Sequence, residues 1–341
     1  MQHRVTLKAS QQSFIVQSRE SILDAAIREG FALNYGCSNG VCGLCKARLL
    51  SGSTEVIRYH DHVIPEAQRL QGCILLCANT CREDCVVDAQ VADQATEIPC
   101  QEIPVRIRKI DRLENGVIRI VVQTPRTQRL RFLAGQYARL TYSTGQSREA
   151  AIASCPCEDR FIEFHFRLAE DAFEQKLLKR SFGNEGLMLS GPYGEFVYDD
   201  QSERSVLFIA FGTGFAAVKS MLEHVTAQDR ERSLRLIRIV DTSDDLYLRN
   251  LCRSWRDAFD AFVYDELSLD RDCAANSKHE LLKEKLSDAI ADMKDLSSYD
   301  IYMVLPQELI ETCMQVCSEK GALPGRISAE PIRGYASADG L

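Results

Sequence analysis

The chain of 341 residues has no run of 18 or more apolar residues, so no segment of it reads as a membrane-spanning helix. Its most apolar stretch, Val206 to Val218, is interrupted by Gly212 and Gly214. The first residues, with His3 and Arg4 in a polar alternation, lack the charged segment and apolar block of a secretory signal, and cytoplasmic residence is the expectation. Basic excess is also missing: the net charge is -8, which argues against nucleic acid as a partner and allows docking on a partly basic protein. No internal repeat, no low-complexity tract and no Ser-His-Asp or H-E-x-x-H arrangement is legible, which leaves hydrolytic chemistry without candidate residues. Cysteine, by contrast, is abundant. In a chain with no legible signal, 14 cysteines read first as metal ligands, reactive thiols or small buried side chains rather than as disulfides.

Length allows two or three domains, each able to bury a core. Val5 and Leu7, then Phe14 and Val16, alternate as the two arms of a hairpin. Ser21 with Asp24 three residues on predicts the start of a short helix closed by Gly30. Residues from about 93 to 104 lose periodicity, and the steps Ile98-Pro99 and Ile103-Pro104 read as a linker, placed at 95–103. Beyond it, Val105 to Ile110 and Val117 to Val122 flank Glu114-Asn115-Gly116, a hairpin signal, and Gln136 to Tyr142 and Phe161 to Arg167 are strand-like. A β-rich barrel is predicted there. From Val206 an apolar strand, a glycine turn, an amphipathic helix to His224 and a strand from Leu234 to Val240 begin a parallel α/β unit; a helix over Lys278 to Met293 and a strand over Tyr299 to Leu305 continue it.

Cys37-Ser-Asn-Gly-Val-Cys42-Gly-Leu-Cys45 has the C-x4-C-x2-C spacing that brings three thiolates around one 2Fe-2S cluster. Gly36, Gly40 and Gly43 let the backbone wrap closely, with its N–H groups free to donate to sulfur. A structural zinc site is the rival reading, but it prefers paired C-x2-C knuckles and only one such pair is present. The fourth ligand must come from Cys73, Cys77, Cys81 or Cys85, four residues apart, and spacing does not choose among them. His60-Asp61-His62 reads as a solvated turn, His165 as structural, and Cys155-Pro156-Cys157 and Cys313-x3-Cys317 have too few partners for a site.

Ile22-Leu-Asp-Ala-Ala-Ile, Tyr35-Gly-Cys-Ser-Asn-Gly-Val-Cys-Gly-Leu-Cys-Lys46, Leu50-Ser-Gly52 and Gly72-Cys-Ile-Leu-Leu-Cys77 resemble plant-type ferredoxins along nearly all of residues 3–90. That resemblance implies a β-grasp domain over residues 1–94 and makes Cys77 the fourth ligand beside Cys37, Cys42 and Cys45. Further on, Ala134-Gly-Gln-Tyr137, Arg148, Ile152-Ala-Ser154, Gly191-Pro-Tyr-Gly194 and Gly212-Thr-Gly-Phe-Ala216 resemble the ferredoxin reductase superfamily, specifically oxygenase reductases and CDP-6-deoxyglucoseen reductase. The resemblance implies an antiparallel barrel of FAD-binding type over residues 104–202, with Tyr137, Arg148, Ile152, Ser154, Gly191 and Gly194 on the flavin. It also implies an NAD(P)-binding α/β domain over 203–335, with Gly212, Thr213 and Gly214 at the nucleotide, and a tail over 336–341.

Such enzymes pass electrons from NADH or NADPH through FAD and the 2Fe-2S cluster to a protein acceptor such as an oxygenase. This chain departs from the pattern on the cofactor contacts. The flavin motif Arg-x-Tyr-Ser/Thr is here Arg148-Glu149-Ala150-Ala151, without the ring-stacking tyrosine, which is worth about 0.5 to 1.5 kcal/mol beyond its buried area. The second flavin phosphate segment reads Glu170-Asp171-Ala172-Phe173-Glu174, Phe211 replaces a glycine, Val304-Leu305-Pro306 replaces Cys-Gly-Pro, and Val240-Asp241-Thr242 offers no arginine to a 2'-phosphate. Reduced, altered or lost affinity for FAD or NADH is therefore expected. The alternatives to a working reductase are an electron carrier whose reductase-like domains act as a docking scaffold and, third, a redox sensor using the surplus thiols.

Overall fold

The computed structural model describes residues 2–60, 62–92, 94–167, 186–228, 232–270 and 278–333. The segment Glu170 to Glu174 and the tail over 336–341 lie outside the described residues. Among those described, no helix is long and apolar enough to cross a membrane.

The first unit comprises β1 (His3–Leu7), β2 (Ser13–Val16), α1 (Ile22–Arg28), β3 (Lys46–Ser51), β4 (Thr54–Val56), α2 (Glu66–Leu70), β5 (Cys73–Leu75), β6 (Asn79–Cys81) and β7 (Cys85–Asp88). Its main sheet runs β2-β1-β7-β3-β5, and β1 pairs β7 in parallel, as a β-grasp requires. The hairpin arises because Val5, Leu7, Phe14 and Val16 all turn to the buried side, where they meet Ile22, Leu23 and Ala26 of α1. Ser21 caps that helix by accepting from the N–H of Asp24.

The second unit is built from β8 (Gln101–Arg112), β9 (Val117–Gln123), β10 (Tyr137–Tyr142), β11 (Ser147–Ala151), β12 (Phe161–Arg167) and β13 (Leu187–Tyr193), ordered β11-β10-β13-β8-β9-β12. A single bridge between Ile152 and Phe164 joins the two edges, so the antiparallel barrel is nearly closed. The expected linker is shorter than its prolines imply, because β8 begins at Gln101 and already contains Ile103 and Pro104. Pro104 pairs with Met188 of β13, while pairing to β9 starts only at Arg106, so the missing N–H falls where the strand has one neighbour.

The third unit alternates β14 (Ser205–Phe211), α3 (Phe215–Ala227), β15 (Leu234–Val240), α4 (Arg249–Ala258), β16 (Phe262–Ser268), α5 (Lys278–Ala289), β17 (Tyr299–Leu305), α6 (Gln307–Glu319) and β18 (Ile327–Pro331). The sheet is parallel, in the order β16-β15-β14-β17-β18. Its central strands β14, β15 and β17 are buried on both faces, which is why Val206 to Phe211 reads as a continuous apolar run. Strand order reverses between β14 and β17, and the glycine turn after β14 opens onto that crevice.

Candidate functional site

The segment Gly36 to Cys45 forms no regular element, because it folds around its own sulfurs. Backbone N–H groups of Asn39, Val41 and Cys42 donate to Cys37 Sγ at 3.5, 3.4 and 3.3 Å, and those of Cys37 and Leu44 reach Cys42 Sγ at 3.4 and 3.5 Å. Gly40 and Gly43 take positive φ to allow this wrapping. Burial pushes the Cys37 thiol up, but those N–H donors outweigh it and hold the pKa below its ordinary value. Cys45 Sγ lies 3.3 Å from Cys77 Sγ, and their hydrogen bond pulls the Cys45 pKa down. The sulfurs thus gather as Cys37 with Cys42 and Cys45 with Cys77, four thiol groups of the kind and number that would hold a 2Fe-2S cluster. Cys81 and Cys85 instead hydrogen-bond to each other, and Cys85 Sγ turns to the carbonyls of Ser53 and Glu83. His60, expected in a solvated turn, is buried, with Nδ1 3.0 Å from the carbonyl of Arg58.

This loop docks on the barrel. The N–H of Arg129 donates to Gly36 O at 2.8 Å, Asn39 Nδ2 to Arg126 O at 3.2 Å, and Arg131 reaches Asn34 Oδ1 and Ala32 O at 3.2 and 2.8 Å. Asp159 completes the contact, hydrogen-bonding to Tyr35 and lying 3.8 Å from Arg129 Nη1. Burial raises its pKa to about 6, against the opposing pull of Arg129. A carboxyl raised above its unfolded value near 3.8 favours the fold fully below that value, and the benefit is lost as pH rises through about 6. Asp159→Asn, which stays neutral, is therefore expected to stabilise the chain by about 1 to 2 kcal/mol at pH 8 and to have no advantage at pH 4. Denaturant midpoints of both proteins across that range check it, and an Asn advantage that grows toward acid pH contradicts it.

The residues expected at the flavin are only partly brought together. In the β10–β11 pairing Tyr137 stands opposite Ala151 and Leu140 opposite Arg148, so Tyr137 and Arg148 lie on opposite faces of the sheet. Ala150 shares the Arg148 face and is buried in the barrel core. Tyr137 meets Gly194, where an added Cβ would come within 3.0 Å of its ring, and stands 5.6 Å from the Tyr193 ring. Gly191 packs equally closely on Ala138. Ile152 is fully buried, and Ser154 Oγ accepts from the N–H of Glu163 at 3.2 Å. The guanidinium of Arg333 lies 3.9 Å from the Tyr137 ring centre and 3.8 Å from Glu149.

At the nucleotide turn, Gly212 takes φ 47 and Gly214 leads into α3, pressed so closely on β17 that a Cβ would stand 2.7 Å from Val304 O. Helix α3 continues directly from this turn without a side-chain cap, so the positive end of its dipole lies at Gly212 to Gly214, beside the crevice. Lys278 Nζ sits 2.7 Å from Asp241 and 5.0 Å from the centre of the Phe211 ring, placing a cation beside the turn. Lys278 and Arg333 carry no local sequence signal; only the fold brings them here.

Residues 5–82 match a model described as a 2Fe-2S iron-sulfur cluster binding domain, and residues 208–315 match an oxidoreductase NAD-binding domain. The CDP-6-deoxy-L-threo-D-glycero-4-hexulose-3-dehydrase reductase of Yersinia pestis is 30% identical over 237 residues, covering 69% of this chain and 71% of the relative. The chain belongs to this family of iron-sulfur reductases. A second family member, the reductase component of propane 2-monooxygenase from a Gordonia species, is 23% identical over 324 residues, 93% of either chain. The cytochrome P450 reductase GcoB of Amycolatopsis shares the fold of the iron-sulfur reductase described above, with TM-score 0.58, 20% identity and coverage of 96% of this chain and 98% of that one. Its family and domains make the protein an electron-transfer oxidoreductase of the NAD(P)H, FAD and 2Fe-2S type, with a ferredoxin domain, a FAD-type barrel and an NAD-binding domain in one chain.

Proposed function

We propose that Cys37, Cys42, Cys45 and Cys77 hold the 2Fe-2S cluster, and that the chain delivers its electrons singly to a protein acceptor, an oxygenase or a related redox enzyme. Bound FAD supplies the conversion of a hydride pair into single electrons. Gly212, Thr213 and Gly214 take the nucleotide phosphates at the N-terminus of α3, with the Lys278 ammonium close by. Tyr137 offers the flavin ring an aromatic platform with Gly194 beside it, while Ile152, Ser154 and Gly191 shape the backbone around that face. Arg148 faces away from this platform, so it reaches a flavin phosphate only beyond the strand's edge.

The observation that carries this reading is the hydrogen-bonded seating of the cysteine loop on the barrel, through Gly36 and Asn39, which would hold a cluster in that loop against the flavin-type domain. Rapid mixing of the FAD-loaded protein with NADH or NADPH, without oxygen, tests it: the cluster's visible absorption is expected to bleach. A second reading, a carrier that no longer oxidises NADH, is favoured by Arg333 covering the Tyr137 ring. It predicts no bleaching until an external reductase is added.

A further inference from the structure

Cys155 and Cys157 form a disulfide in the turn that follows β11. Pro156 stands at the second position of this turn, which the N–H of Glu158 closes by donating to Cys155 O at 2.9 Å. All three units meet here. Ser220 of α3 donates to Ser154 O at 2.7 Å, Glu223 of α3 accepts from the backbone of Cys155, and Asp159 carries the contact to Tyr35 of the ferredoxin unit.

The two sulfurs are not equivalent. Cys155 is 3% exposed, whereas Cys157 is half-buried and lines a cavity of about 440 Å³ between the ferredoxin unit and the barrel. That volume is in the range of small-molecule sites. Ser38, adjacent to Cys37, lines the same cavity, as do Arg28, Arg58 and Arg129 together with Asp24, Glu158 and Asp159. Arg28 and Arg58 keep more than a third of their side chains exposed there, so their guanidinium groups can meet a carboxylate that enters the cavity.

We propose that Cys155 and Cys157 are a thiol–disulfide exchange site for a small carboxylate-bearing thiol that enters through this cavity. The incoming thiolate attacks Cys157 Sγ, the S–S bond breaks, and Cys155 leaves as a thiolate. The N–H of Cys157, 3.2 Å from Cys155 Sγ, stabilises that leaving group before it takes a proton from solvent. A second thiolate then attacks the thiol's own sulfur in the mixed disulfide. It releases the oxidised thiol as its dimer and Cys157 as a thiolate, which is also protonated. Two thiols are thus oxidised and one protein disulfide is reduced to two thiols. Opening the bond frees the turn that ties the barrel to α3 and to the ferredoxin unit.

Glutathione serves as the probe. The full-length, cluster-loaded protein is equilibrated anaerobically in buffers running from fully reduced to fully oxidised glutathione, quenched in acid, alkylated and cut with trypsin. Cleavage after Arg148 and Arg160 yields a peptide whose only cysteines are these two. It is expected to pass from doubly alkylated to unalkylated and two hydrogens lighter as the oxidised fraction rises. In Cys155→Ser, Cys157 should collect glutathione, at least about tenfold more than Cys155 does in Cys157→Ser. The cluster's visible spectrum, unchanged in both variants, shows that each is folded. A doubly alkylated peptide at every ratio, or equal labelling of the two variants, overturns the proposal.

Discussion

Cys77→Ala is expected to yield a chain without an intact cluster, with iron falling from about two per chain to well below one. The reason is geometric. Cys77 is fully buried, its sulfur 3.3 Å from that of Cys45, and alanine removes one of the four thiolates proposed to hold the cluster. Because cluster binding contributes to folding of the domain that holds it, the melting temperature should fall as well. Cys73→Ala, Cys81→Ala and Cys85→Ala are expected to keep both irons and the visible spectrum. Iron and acid-labile sulfide analysis of the four proteins, purified without oxygen, decides the matter. A retained cluster in Cys77→Ala, or a lost one in Cys73→Ala, assigns the fourth ligand elsewhere.

That case shows where sequence reasoning stops. The loop from Cys37 to Cys45 is legible because ligand spacing and glycine placement are local properties of one short segment. The choice among Cys73, Cys77, Cys81 and Cys85 is not, since four cysteines at equal intervals differ only in what β5, β6 and β7 place them against. The Ser21 cap and the buried runs of β14, β15 and β17 were equally readable, for they depend on neighbours in sequence. Gln101 to Ile103 were read as the end of the linker, although they begin β8, because the proline step after them is allowed by the one-sided pairing of that strand, a fact of the sheet rather than of the segment. His60 and the Cys155–Cys157 bond escaped for the same reason. The face to which Arg148 and Ala150 turn depends on β10–β11 register, which the Arg-x-Tyr-Ser/Thr comparison does not contain.

The second large effect is expected at the junction of barrel and α3, where Lys219→Met should destabilise the protein by about 3 kcal/mol at pH 8. Lys219 is nearly buried, and its ammonium meets Glu163 at 3.2 Å, Glu223 at 2.7 Å and Ala153 O at 3.0 Å, one partner for each of its three donors. Burial alone would raise the Glu163 pKa, but the hydrogen bond from His165 and the charge of Lys219 hold it down to about 2. A carboxyl depressed in this way stabilises the fold above its unfolded value, and the benefit disappears as pH falls toward about 2. Burial already holds the Glu223 pKa above its ordinary value, and without the lysine it rises further; Glu163 then loses the charge that holds it down and becomes easier to protonate than in the unfolded chain, with His165 and Arg119 still beside it. The sign of its linkage then inverts: the variant loses stability as pH rises through the raised pKa, so the penalty should be largest at pH 8 and shrink toward pH 5. Lys219→Met combined with Glu163→Gln removes one of the stranded charges and should recover about 1 to 2 kcal/mol. Denaturant midpoints for the wild type and both variants at the two pH values test this. A penalty below about 0.5 kcal/mol, typical of an exposed pair, or one independent of pH, would show that the ion pair is solvated and that the barrel and α3 are held by packing alone.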